Sequence, residues 1–271
     1  MSDIFSWLRF DFMKLAFAAV LLITPLFGLM GTMIVSRKMA FFSDALGHSA
    51  LTGIAVGVVF GVGDTNLSMV VFAVLFALLL NKISSKNAES VDTVISVFSS
   101  FSIALGLAIL SRGGNFSKYS SLLVGDILSI TPKELLYLGI LLIVTLGFWC
   151  VCSNDLQAVS IHRALAKSKG IPVSLMEYLF AVLSALVVML SIKWIGILII
   201  NALLILPAAA SRNLSENLRE YHFFALVFSV FSGVLGLIIS YFANVATGPA
   251  IVIIAAIIYF ATYLYGRCAG T

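Results

Sequence analysis

Phe41-Phe-Ser-Asp-Ala-Leu-Gly-His-Ser-Ala-Leu-Thr-Gly-Ile-Ala-Val-Gly57 is an apolar, glycine-flanked run that carries an acid and a histidine, Asp44 and His48. Without those two residues it would read simply as part of a membrane span. The i,i+4 spacing puts the carboxylate and the imidazole on one face of a helix. Ionisable groups at membrane depth are expensive and mark functional sites. The same two groups are natural ligands for a divalent metal.

The rest of the chain settles the environment. Of its 271 residues, 61% are hydrophobic and 10% charged, with a mean hydropathy of +1.13. Soluble domains carry about 25% charged residues. The chain therefore reads as an all-α, polytopic integral membrane protein. Its apolar stretches are too long for the short alternating strands of a barrel. They predict helices at 15–36, 44–62, 66–82, 92–110, 134–153, 174–192, 195–210, 222–243 and 249–266. Most approach the ~20 residues needed to cross a bilayer. A break at Ser191-Ile-Lys-Trp-Ile-Gly196 makes 174–210 either two spans or one bent element, so the expectation is about eight or nine spans. The run 119–131 is apolar but short and reads as re-entrant or interfacial.

No cleavable signal pattern is visible at the start. Residues 1–14 mix Trp7, Phe10 and Phe12 with Asp3, Arg9, Asp11 and Lys14, and read as an interfacial helix. If 154–173 faces the cytoplasm and spans alternate, ten Lys and Arg residues fall on that side and six on the other. That bias favours the first side as cytoplasmic, with the N-terminus outside and, given nine spans, the C-terminus inside. The whole chain, 1–271, reads as a single transmembrane domain with no linker or soluble insert. The net charge of +4 bears on topology rather than on a nucleic-acid partner. Cys150, Cys152 and Cys268 have neither zinc nor redox spacing and read as free thiols near helix ends.

Several chemistries are missing. There is no Gly-x-x-x-x-Gly-Lys-Ser/Thr, so the chain has no P-loop of its own for a nucleotide. Neither His-Glu-x-x-His nor Gly-x-Ser-x-Gly occurs. With only His48, His162 and His222 available, an enzyme has little to work with.

Three constellations remain. Asp44 and His48 supply too few ligands for a tight site, but a two-fold axis beside their helix would bring two Asp and two His together. That set completes a tetrahedral shell for zinc, and with added water suits manganese. The alternative is an Asp–His hydrogen bond at a helix start, with Ser43-Asp44 as the N-cap region. Gly47, Gly53, Gly57, Gly61 and Gly63 flank the pair, and Gly53-x-x-x-Gly57-x-x-x-Gly61 forms a continuous small-residue stripe, which serves helix packing, a narrow ion route, or both. The second constellation is 155–172, the longest polar segment. It predicts a short helix from Ser160 to Lys169, ended by Gly170 and Pro172, with His162 facing solvent. It is either an ordinary connection or a helix that docks into a partner. The third is Gly196 to Arg212, where Asn201 at depth and Pro207 suit a bent, path-lining helix or a kinked packing helix.

In this order the segments resemble the membrane permease subunit of the ABC-3 family of bacterial zinc and manganese importers. The resemblance runs from about Pro25 to Phe260. It rests on Ser43-Asp-Ala-Leu-Gly-His-Ser-Ala-Leu-Thr-Gly53, Gly125-Asp-Ile-Leu-Ser-Ile-Thr-Pro132, Ala164-Leu-Ala-Lys-Ser-Lys-Gly170, the Leu-Leu-Ile-Leu-Pro-Ala-Ala-Ala core of 196–212, and Ser240 to Val252. It implies a type II ABC importer-like permease in the bacterial inner membrane. Two copies would pair with a dimer of a separate ATPase that holds the ATP, and an extracytoplasmic binding protein would deliver Zn2+ or Mn2+. Asp44 and His48 fall on the family's metal-holding positions. The region 154–173 falls on its cytoplasmic coupling region, with Ser160, His162, Arg163, Leu165, Ala166, Lys169 and Gly170 as coupling residues. Gly47, Gly53, Gly57, Asn201 and Pro207 are candidates for the path or its packing. The coupling segment looks more like the zinc branch, although Lys167-Ser-Lys169 departs from the acidic Glu-Gly often found there. An ATP-independent metal carrier or channel is the rival function. A metal-using membrane enzyme would need a further acid or base beside the pair.

Overall fold

The computed structural model describes residues 10–84, 91–112 and 116–269. Among them every regular element is helical. In chain order they are α1 (Asp11–Ser36), α2 (Ala40–Val59), α3 (Thr65–Ser84), α4 (Val91–Arg112), α5 (Phe116–Tyr119), α6 (Ser121–Val124), α7 (Pro132–Ile161), α8 (Arg163–Ser168), α9 (Val173–Ile195), α10 (Ile197–Arg212), α11 (Leu218–Ala243) and α12 (Thr247–Ala269), with a 3-10 turn at Ile127–Ser129. Eight of these helices are long and apolar enough to cross a membrane, and α10 is a shorter apolar helix.

The predicted spans are present, and their ends are where the structure adds most. α1 starts at Asp11, so Asp11 to Lys14 form its first turn rather than the end of a separate interfacial helix; residues 1–9 lie outside the described residues. α7 runs on to Ile161, well past the expected end at 153. It begins at a capping box in which Thr131 Oγ1 and the Glu134 carboxylate each accept from the other's backbone N–H, with Pro132 in the first turn. Cys150 and Cys152 lie inside α7 rather than near its end; the side chain of Cys268 lies outside the described residues. The helix break falls at Gly196 alone, because Ser191 to Ile195 remain helical.

Gly196 explains that break. Its φ of +97° is a conformation that side-chain-bearing residues rarely adopt. Gly125, at φ +73°, packs backbone to backbone against Ile195 and Gly196, and a Cβ on either glycine would run into the other segment's main chain. The segment 116–131 is thus a chain of short helical turns held against the α9–α10 junction. Asp126 N–H donates to the Lys193 carbonyl at 3.2 Å, and the Asp126 side chain accepts from Leu128 N at 3.0 Å. The expectation of a short, non-spanning piece fits this arrangement.

Burial sorts the long helices into inner and outer sets. The most apolar window is 72% buried in both α1 and α2 and 67% buried in α9, against 22% in α7. Small residues permit the close crossings at the centre. Gly31 of α1 lies against the Leu204 carbonyl of α10, and Gly106 of α4 lies against the backbone of Leu51 and Thr52 in α2. Large exposed apolar residues such as Leu136, Ile143 and Val151 of α7 remain on the outside, as a hydrocarbon solvent permits. Arg37, Arg163 and Arg212 lie at one end of the bundle, where a shared set of crevices joins them through Ser160. Lys133 and Lys193 lie together in a crevice elsewhere on the bundle.

Candidate metal site and coupling helix

α2 begins at Ala40, with Met39 as an N-cap that provides no side-chain bond. Asp44 is therefore already one turn into the helix, and the reading of Ser43-Asp44 as a cap region is overturned. Asp44 Oδ2 lies 3.6 Å from His48 Nε2. That is long for a hydrogen bond. It is near the ~3.4 Å that separates neighbouring ligands in a tetrahedral shell of radius ~2.1 Å. The side chains are 44% and 25% exposed respectively, so the chain's own helices leave the pair partly open.

Asn201 joins the site from α10. Its Nδ2 donates to Asp44 Oδ1 at 3.3 Å, while its Oδ1 accepts from Ser43 Oγ at 2.5 Å. The carboxylate only accepts, so it orients the amide, whose remaining oxygen faces the serine hydroxyl. One Asp44 oxygen is thus held by α10, and the other faces His48. Ile197 and Ile200 bring α10 this close by packing on Gly47, where an added Cβ would sit 3.4 Å from Ile200 Cγ2. Among the described residues, no group of three or more His, Cys, Asp and Glu is placed to hold a metal ion. Asp44 and His48 thus stand as a pair, with Asn201 bonded to the acid.

The remaining path candidates separate from the pair. Gly53 faces α3, where an added Cβ would lie 2.9 Å from Met69 Cα. Gly57 lies against Ser68 of the same helix. Both are packing positions. Gly61 falls beyond the end of α2 in an open turn at φ +68°, so the small-residue stripe stops at Gly57. Pro207 is buried in α10, beyond Asn201 on the same helix. Leu198 is exposed on α10, and Asn201, Ala202, Ile205, Leu206 and Ala209 are partly so, which gives one outward stripe beside the Asp44 face.

The predicted short helix is α8, shorter than expected at Arg163–Ser168. Ser160 belongs to the end of α7 instead. His162 is exposed, as expected, and also caps α8: its Nδ1 accepts from Leu165 N at 3.3 Å. Ala166 is buried and anchors the helix, while Leu165 and Lys169 are exposed. Gly170, at φ +80°, turns the chain out. Arg163 is half exposed and reaches Glu177 of α9, with Nη2 to Oε2 at 2.7 Å. The other oxygen of Glu177, Oε1, lies 3.3 Å from Nη2 of Arg37 in the α1–α2 turn. Arg37 also sits 5.3 Å above the Phe180 ring. Burial lowers the Arg37 pKa from its usual value, Glu177 opposes that shift, and Arg163 reinforces it. A guanidinium keeps its charge through such a shift.

The sequence reading passed over Glu177 and Arg37. A lone carboxylate inside the apolar run of α9 was the available signal, by the same logic that selects Asp44. It also missed His222, which hydrogen bonds Thr32 Oγ1 at 3.0 Å and Gln157 Nε2 at 2.9 Å and ties α11 to α1 and α7.

The family model described as "ABC 3 transport family" matches residues 9–266. The chain is 32% identical over 231 residues to the high-affinity zinc uptake system membrane protein ZnuB of Haemophilus influenzae, covering 85% of this chain and 88% of the relative. It is 28% identical over 257 residues to the manganese import system permease protein ScaB of Streptococcus parasanguinis, covering 94% and 91%. Among solved structures, PsaBC from Streptococcus pneumoniae in complex with Fab has a chain that superposes with a TM-score of 0.84 at 28% identity, covering 97% of this chain and 95% of that one.

Proposed function

The chain belongs to the ABC 3 transport family, and from that premise we propose that it is the membrane-spanning permease subunit of an ATP-binding cassette importer, carrying zinc or manganese into a bacterial cytoplasm. The observation that carries the reading is the Asp44–His48 pair with its Asn201 support, half open on an apolar membrane domain. A dehydrated divalent cation is costly in hydrocarbon, and the pair offers it negative charge and a lone-pair nitrogen on the way across.

A second copy of the chain supplies the rest of the shell. Two Asp and two His around a two-fold axis make four ligands, a set that suits zinc first and manganese with added water. The outward stripe of α10 beside the pair gives that copy an apolar surface to pack on. Asp44 and His48 hold the ion transiently, and Asn201 keeps the carboxylate turned toward it. ATP is bound and hydrolysed on a separate ATPase dimer seated at the α8 end, through Arg163, Leu165, Lys169 and Gly170 with Ser160 and His162 beside them; Ala166, expected among these contacts, is buried and instead anchors α8 to the permease. An extracytoplasmic binding protein delivers the metal at the opposite end. The membrane is the bacterial inner membrane.

The test is uptake of labelled zinc and manganese, in competition, by vesicles holding the permease with and without its ATPase. ATP-dependent uptake that needs both proteins supports the reading. Uptake at the same rate without the ATPase replaces it with an ATP-independent carrier.

A further inference from the structure

Glu177 is a buried acid with two arginine partners from different parts of the chain. Its side chain is 9% exposed, and so is little able to find water in place of either partner. One oxygen holds Arg163, the first residue of α8, at 2.7 Å. The other holds Arg37, which ends α1 and is itself 8% exposed. Arg37 leads through Lys38 and Met39 into α2, and Asp44 lies about 6 Å along that helix from Ala40. One path from α8 to the Asp44–His48 pair thus runs through this carboxylate.

We infer that Glu177 is a positioning residue that transmits displacement of α8 to the base of α2, and so couples ATP hydrolysis on the partner to the state of the Asp44–His48 pair. The inference rests on the permease reading above. Two features favour transmission over a merely structural tie. First, a cavity of about 230 Å³ lies beside the three charges, lined by Arg37, Lys38, Phe42, Asn81, Arg163 and Glu177. The α1–α2 turn therefore has space to shift relative to α3, which carries Asn81. Second, the two ion pairs differ in their surroundings. Arg163 is 53% exposed and follows α8, whereas Arg37 is pinned between Glu177 and the Phe180 ring. Breaking the Arg37 pair would leave a buried charge uncompensated, so that end holds while the α8 end pulls.

The experiment compares metal imported per ATP hydrolysed by the reconstituted permease–ATPase complex, with Glu177→Gln, Arg163→Met and the double variant. Glu177→Gln keeps the shape of the side chain and removes its charge. The expected result, in the complexes that assemble, is ATP hydrolysis near the wild-type level with metal per ATP reduced at least about fivefold. Arg163→Met should lower the same ratio, and the double variant should lower it no further, because both act through one link. If Glu177→Gln does not assemble, Glu177→Asp decides instead: it keeps the charge facing Arg37, shortens the reach to Arg163 and leaves the exposed face of α8 untouched, and the same loss of metal per ATP is expected. An unchanged ratio in the decisive variant overturns the inference while wild-type import leaves the permease reading standing. So does a loss of yield and rate in equal proportion. Absence of ATP-dependent import by the wild-type complex overturns both.

Discussion

Asn201 Nδ2 donates to Asp44 Oδ1 at 3.3 Å, and so ties α10 to the one acid that α2 carries at depth. The amide oxygen in turn accepts from Ser43, the residue next to that acid. A polar residue that could have been a lone path-lining group is instead bonded to Asp44.

Replacing Asn201 with Ala should therefore weaken metal use without unfolding the domain. A hydrogen bond to a carboxylate is worth about 1.5 kcal/mol at the weaker end, and this one is long and partly open, so the expected rise in KM for metal uptake is about tenfold. Uptake kinetics at matched protein levels check this. Asn201→Asp should do worse, because it sets a second negative charge against Asp44.

Gly196 and Gly125 predict a stability effect rather than a transport effect. Alanine at either meets backbone and requires a positive φ. Strain of that kind costs about 1–3 kcal/mol before the overlap is relieved. Gly170 has a positive φ but nothing within 4 Å. Gly170→Ala should thus lower the detergent melting temperature less than Gly196→Ala or Gly125→Ala does.

Gly53 separates packing from path. A Cβ there would lie 2.9 Å from Met69 Cα and 3.2 Å from Phe72 Cβ. Gly53→Ala should destabilise by about 1–3 kcal/mol, as overpacking does. The preference between zinc and manganese in competition uptake should stay as it was. A changed preference with unchanged stability would place Gly53 in the ion path.

His162 caps α8 through Leu165 N. His162→Ala should cost about 1 kcal/mol of local helix stability. Faster amide hydrogen exchange confined to 163–168 is the expected signature, with the long helices unaffected.

The spans were legible because hydrocarbon-facing and core-facing residues are both apolar, so length alone marks a crossing helix. Helix ends were less so. Asp155 and Gln157 read as loop, yet α7 continues through them because Leu156 is buried and Gln157 reaches His222. The Asp44–His48 pair was legible from i,i+4 spacing. Its partner was not, because Ser43 and Asn201 are brought together by tertiary packing and no local rule links them. Glu177 shows the same limit: its charge was visible in the sequence, but its two arginines come from either side of α7 in the chain.

The central claim is that Asp44 and His48 hold the transported metal. The direct measurement is ATP-dependent uptake of labelled zinc and manganese by the complete complex, with Asp44→Asn and His48→Ala compared with wild type and assembly checked on the same samples. Uptake reduced at least about tenfold in each variant, in complexes that assemble normally, is the predicted result. Wild-type uptake in either variant would contradict it.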